Sequence, residues 1–329
     1  MKAGWIAAMG LLAAPATIAA PAPAIDRNLL QVQVILDHLG FSPGVLDGRP
    51  GISLTAALKG FQMSRGLPVT GKTDPATVQA LNRYKAWAPT RTLTLTREAL
   101  AGPYINPIPK NENDQAKLPA LAYRSLMEKL AEMFHTTPAV LMALNGPDTR
   151  LAPGTKVVFP NALPFSRDYD PKLKPEWRQT LNMLNVSAQQ PQAARIVVDK
   201  SEKVLRAYDA AGKLVAQFMV TTGSGHDPLP LGTWSIPVVD TNPKFHFNPA
   251  LFWDASKGDE KAMLPPGPNG PVGVVWIDLS KEHYGIHGTP EPQNIGRTES
   301  HGCVRLANWD AARLAQMVTA GKTKVVFQA

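Results

Sequence analysis

One cysteine, Cys303, stands in the 329 residues of this chain. A lone thiol cannot close an intramolecular disulfide, so it is a reactive group, an intermolecular link or a small buried hydrophobe. Acidic residues are in the minority, 26 Asp and Glu against 34 Lys and Arg, and a pI near 9.5 suits an anionic neighbourhood such as a cell-envelope polymer. Dense Lys/Arg runs are absent, which argues against nucleic acid as the partner. Apolar runs are short as well. The longest, Trp5 to Ala20, falls below the ~20 residues that a membrane span needs, and nothing downstream approaches it.

That first apolar run follows Lys2 and precedes "PAPA", with Ala22 and Ala24 spaced as an A-x-A cleavage site. The pattern predicts a secretory signal peptide over residues 1–24, and hence a periplasmic or exported, cell-wall-associated mature chain with no stable membrane insertion. Without Lys2 the mature chain has 33 basic residues against 26 acidic ones, a net +7. Export sharpens the question posed by Cys303, because an oxidising compartment favours disulfides and an unpaired thiol there needs a reason.

With 31 prolines the chain should be segmented. Residues 25–85 read as a compact three-helix unit. "LLQVQVILDHLGF" places Leu29, Val32, Leu36 and Leu39 at helical spacing before Gly40; Leu54, Leu58 and Phe61 share a face of a second helix; Asp74 and Pro75 open a third as N-cap and N1. Residues 86–120 are polar and Pro-rich, and read as a linker and docking segment. Residues 121–163 hold two short helices, Leu126–Phe134 and Pro138–Asn145, then the strand "TKVVFP". Residues 164–193 read as a second linker. From 194 to 329 the period changes to two, predicting antiparallel hairpins around "DKSE" and "DAAGK", further strands and a closing helix. Between Thr241 and Gly273 runs a long Pro/Gly/aromatic loop. Its Phe245, Phe252 and Trp253 are expected to fold over the active thiol as a lid.

Cys303 lies in "YGIHGTPEPQNIGRTESHGCVRL", residues 284–306, with His287 16 residues before it and His301 two before it. An unperturbed thiol is only a few per cent ionised at neutral pH, so a nucleophilic Cys303 needs a base, and either histidine can serve. Gly288 and Gly302 flank the reactive groups; a sharp turn at Gly302 could aim the Gly302 and Cys303 N–H groups at an oxyanion. Arg305 could hold a substrate carboxylate bidentately, and Ser300 and Tyr284 are further candidates for substrate contact. Two other readings use the same residues: a His₂Cys zinc site made by His287, His301 and Cys303, and a non-catalytic wall-binding scaffold.

The His-Gly pair followed by Ser-His-Gly-Cys resembles the signature of the L,D-transpeptidase (YkuD-type) catalytic family, with a match extending back through "PPGPNGPVGVVWIDL" to "RIVVD". The resemblance implies a mainly β, sandwich-like catalytic domain in which Cys303 is the nucleophile, His287 the base, His301 an orienting residue and the Gly288 carbonyl the third member, with no cofactor and no metal. It also implies the reaction: attack on a peptidoglycan stem tetrapeptide expels D-Ala, stores the acyl group as a thioester, and passes it to an acceptor amine of a stem-peptide side chain, a lipoprotein lysine or a D-amino acid, or to water. Carbapenem-type inhibitors should trap the thiol. "DGRPGISLTAALKGFQMSRGLPVTGKTDPATVQAL" resembles the three-helix peptidoglycan-binding domain. Residues 121–163 are similar to LysM, a glycan-binding module, in a degenerate form whose opening strand is missing.

Overall fold

The computed structural model describes residues 24–253, 255 and 258–329. The leader lies outside them except for Ala24. Among the described residues no helix is long and apolar enough to cross a membrane.

Three helices form the N-terminal unit: α1 (Arg27–His38), α2 (Ile52–Ser64) and α3 (Pro75–Leu81). The Asp26 carboxylate accepts from the Asn28 and Leu29 N–H groups at the start of α1, a cap worth about 1 kcal/mol. Asp74 caps α3 by accepting from Thr77 N–H, with Pro75 at its first turn. Ile35, Leu36, Phe41, Leu54, Leu58, Phe61 and Leu81 make the core. Helix α1 is apolar on a second side too: Leu30 and Val34 are fully buried against Leu46 and Ala162. This second stripe seats the helix on the next unit.

That unit begins earlier than the sequence suggests. Strand β1 (Thr90–Thr94), inside the stretch read as a linker, pairs antiparallel with β2 (Lys156–Pro160). Polar "TRTLT" exposes most of its residues and lacks the apolar alternation that would mark it. An insertion carrying α4 (Arg97–Leu100) and α5 (Glu112–Gln115) separates β1 from α6 (Leu126–Met133) and α7 (Pro138–Asn145). Leu130, Phe134, Leu141, Val157 and Phe159 pack between the strand pair and these helices, and the Phe134 and Phe159 rings stack 4.0 Å apart.

The second presumed linker is also structured. Helix α8 (Pro175–Met183) buries Trp177 and Leu181 in the core of the C-terminal unit. That unit has two sheets. One is ordered β5 (Leu214–Met219), β4 (Val204–Tyr208), β3 (Arg195–Asp199), β13 (Lys324–Gln328), β6 (Gly232–Ser235), antiparallel except for the β3–β13 pair. The other runs β12 (Val304–Arg305), β11 (Gly285–His287), β10 (Val275–Asp278), β7 (Val239–Thr241), with β11 and β12 parallel. Inward residues of both sheets share one apolar core with α8 and α9 (Asn308–Met317). The long loop is not irregular throughout: β8 (Phe245–Phe247) and β9 (Ala262–Leu264) make a hairpin.

A buried polar junction joins all three units. Asp37, at the end of α1, receives both terminal nitrogens of Arg313 on α9 at 2.9 and 2.8 Å. Its Oδ2 also lies 3.0 Å from His135 Nδ1, in the turn before α7, and His135 Nε2 is 2.8 Å from the Leu184 carbonyl. The His135 ring stacks on Trp309 at 5.0 Å, and Ser42 donates to Asp310 at 2.6 Å. Burial works to raise the Asp37 carboxyl, but Arg313 and then His135 outweigh it and hold Asp37 far below the usual carboxylate range. Sheet pairing reinforces the junction, as residues 40–42 run alongside Gln217 of β5.

Candidate active site

The parallel β11–β12 pair creates the site. Its register sets Ile286 beside Val304 and His287 beside Arg305, so Cys303 falls level with Gly285. Alternation puts Gly285 on the same face as His287 and Arg305, which leaves a side-chain-free gap beside the imidazole, and Cys303 ends the bend that leads into β12. Trp276, opposite His287 on β10, covers that gap: its ring stacks on the imidazole at 5.6 Å, and a Cβ at Gly285 would come within 2.5 Å of it.

His287 is 4% exposed, and its Nδ1 lies 2.8 Å from the carbonyl oxygen of Gly288. That contact fixes Nδ1 as the protonated nitrogen and leaves Nε2 as the basic one. Burial, then the nearby Arg305 guanidinium, lower the His287 pKa to about 3, against the upward pull of the Gly288 carbonyl. The Cys303 thiol is half-buried and sits 3.8 Å from the His283 carbonyl oxygen. Burial pushes its pKa up, while the Gly285 N–H and Arg305 draw it back. The resting pair is therefore neutral imidazole and neutral thiol.

The loop before Cys303 is held from several sides. Ser300 is buried, its N–H bonds to the Thr222 carbonyl, and its hydroxyl donates to the Cys303 carbonyl at 2.6 Å. Gly302 has φ +98°, and a Cβ there would lie 2.5 Å from the Tyr284 ring. Tyr284 thus packs against the turn, with Lys281 above its ring at 5.9 Å. Arg305 exchanges backbone hydrogen bonds with Thr221 at 2.9 and 3.1 Å.

His301 lies beside the long loop: Phe252 is 5.2 Å and Trp253 6.0 Å from its ring. These two aromatics therefore stand beside the nucleophile loop. Phe245 shares an apolar cluster with Phe252, together with Leu121, Leu118 and Ile108 of the insertion. No group of three or more His, Cys, Asp or Glu side chains among the described residues has a metal-holding arrangement. The sequence reading missed Trp276, hidden as one more alternating residue of a strand, and Asn308. The latter is fully buried, and its Oδ1 would lie 2.2 Å from a Cβ on Gly288. Its nearness to the motif, five residues after Cys303, is the only signal the sequence offers.

The chain is similar to known proteins over parts of its length. Residues 193–327 match the YkuD family model, described as the L,D-transpeptidase catalytic domain. Residues 26–81 match a second model, described as "Putative peptidoglycan binding domain". Among individual relatives, the chain is 52% identical over 56 residues to "Putative L,D-transpeptidase YkuD" of Bacillus licheniformis, covering 17% of this chain and 34% of that one. It is 28% identical over 120 residues to "Putative L,D-transpeptidase YqjB" of Bacillus subtilis, covering 35% and 60% respectively. The matches thus span between a third and three-fifths of these relatives' lengths. Among solved structures, an L,D-transpeptidase from Mycobacterium smegmatis aligns with a TM-score of 0.34 at 18% identity, over 42% of this chain and 59% of that one. The catalytic domain of the E. faecium L,D-transpeptidase gives 0.32 at 18%, over 43% and 100%.

Proposed function

We propose that this chain is an exported L,D-transpeptidase that acts on peptidoglycan stem tetrapeptides through a Cys303 thioester. One observation carries the reading: the β11–β12 pairing brings Cys303, at the entry to β12, beside the strand that holds His287, whose Nδ1 is held by the Gly288 carbonyl. In the first step His287 Nε2 takes the thiol proton as Sγ attacks the carbonyl before the terminal D-Ala. The C–N bond breaks, the proton passes to the departing amine, and the acyl group stays on sulfur. In the second step an acceptor amine attacks the thioester and its proton returns the thiol to rest. Outside the membrane no nucleotide drives bond formation, so the energy of the old peptide bond is kept in the thioester. The Gly302 and Cys303 N–H groups would hold the oxyanion, and Arg305 would attract a stem carboxylate.

The Phe252 and Trp253 rings beside His301 would shed water from the thioester and so favour an amine over hydrolysis. The N-terminal unit would hold the wall polymer. The β1–α6–α7–β2 arrangement, with its strands paired antiparallel, supports a LysM-like module interrupted by an insertion. The mature protein incubated with a carbapenem should gain one intact drug mass on Cys303, since sulfur attack opens the strained ring without losing atoms. Purified disaccharide-tetrapeptide should give cross-linked dimers. A folded protein that forms neither, or a Cys303→Ala variant that forms both equally, overturns the proposal.

A further inference from the structure

Glu132 belongs to α6 of the middle unit, 171 residues before Cys303 in the chain, yet it reaches the support of the base. It is 7% exposed, and its Oε1 accepts from Asn308 Nδ2 at 2.9 Å. The same amide nitrogen donates to the Pro268 carbonyl at 3.0 Å, and Asn308 Oδ1 accepts from the Val274 N–H at 3.2 Å. One side chain thus spans α6, the loop before β10, and the start of β10. The contact with the base is steric: a Cβ would lie 2.2 Å from Oδ1 at Gly288 and 1.9 Å at Gly273, so both positions exclude any side chain and the amide rests against their backbone. The Gly288 carbonyl is the acceptor for His287 Nδ1.

An asparagine amide can flip, exchanging donor and acceptor edges. Here two acceptors, Glu132 Oε1 and Pro268 O, face one edge and a donor, Val274 N–H, faces the other. Removing Glu132 deletes one of the groups that define the edge and leaves an N–H of a fully buried amide unpaired. We propose that Glu132 is a positioning residue for the reaction: through Asn308 it sets the Gly288 backbone and thereby the His287 tautomer, making the middle unit part of the catalytic apparatus. The inference rests on the function proposed above only in treating His287 as the base.

The test uses the full mature chain and its Glu132→Leu, Glu132→Gln and Asn308→Ser variants. ¹⁵N spectra of the His287 ring report the tautomer and need no wall substrate. Leucine and Asn308→Ser should each shift His287 from a single tautomer to a mixture. With disaccharide-tetrapeptide, kcat should fall about 10-fold at unchanged KM, short of the ~10²–10⁴ for loss of a general base. Glutamine keeps a carbonyl towards Asn308 and should restore all readouts to within about 2-fold. A wild-type tautomer in whichever of Glu132→Leu and Asn308→Ser folds, or glutamine as harmful as leucine, overturns the inference. If the tautomer shifts while the wild type forms no cross-links, the proposed function fails and the positioning role stands.

Discussion

The neutral resting pair makes a strong prediction about Cys303 reactivity. A thiol at its ordinary value of 9.0 is about 1% ionised at pH 7, and burial takes Cys303 below even that. A cysteine paired with a cationic histidine behaves oppositely: its ionised form dominates from mildly acid pH, and its alkylation rate is flat through neutrality. Here the His287 pKa, about 3, leaves no imidazolium to stabilise a thiolate above pH 4. Alkylation by iodoacetamide should therefore rise about tenfold per pH unit from 6 to 8 without a plateau, following the thiolate fraction. Arg305→Ala should move both groups upward, because the guanidinium lowers each of them. It should then slow alkylation further at every pH below 8. Rates are read by mass spectrometry on the single cysteine. A plateau between pH 6 and 8, or faster reaction in Arg305→Ala, would refute the neutral-pair reasoning.

Three other outcomes are expected. Glu132 is raised by burial from 4.5 to about 7, so the folded state holds a proton that the unfolded chain releases. Stability from this group is complete below pH 4.5 and is lost as pH climbs through 7; Glu132→Gln should match wild type near pH 4.5 and exceed it by about 3 kcal/mol at pH 8 in urea titrations, and a pH-independent difference would contradict this. Asp37→Asn strips the carboxylate from a buried Arg313 and should cost about 3–5 kcal/mol, with one transition by both fluorescence and circular dichroism; a loss under about 1 kcal/mol would mean the junction is not what couples the units. Gly302→Ala forces a side chain into φ +98° and the Tyr284 ring, and should cost about 1–3 kcal/mol and abolish carbapenem acylation; an acylating variant would show that the turn tolerates displacement.

Legibility in the sequence followed from how local each signal is. The cap at Asp74, the hairpins of β3 to β5 and the spacing of His287, Gly302 and Cys303 depend on neighbours within a turn or a strand pair, and periodicity or glycine placement exposes them. Strand β1 depends on a partner over 60 residues away and carries polar residues on an edge, so nothing local marks it. Helix α8 opens at a proline and buries only Trp177, Thr180 and Leu181 of its nine residues, too sparse a stripe to stand out among prolines. In the site, His301 looked like a partner of Cys303 because two residues along a strand share a face. The chain bends at residues 301–303, so strand alternation does not apply there, and the ring lies beside Phe252 and Trp253, contacts that no local pattern marks. Phe245 carries the same compositional signal, and the apolar cluster that joins it and Phe252 to the insertion depends on distant residues that no local pattern marks.

The junction of Asp37, His135 and Arg313 has a consequence for how far the enzyme reaches. Modules on a flexible linker sample a volume, and the second binding event then depends on an effective concentration set by linker length. Packed around one buried ion pair, the units leave no such freedom: the distance from the α1–α3 unit to Cys303 is a constant of the fold. If the N-terminal unit grips the polymer, Cys303 works as the tool of a jig, reaching only stem peptides that lie one fixed span from the grip. Glycan strands of graded length should then show a threshold, with turnover rising abruptly once the strand is long enough to bridge grip and thiol.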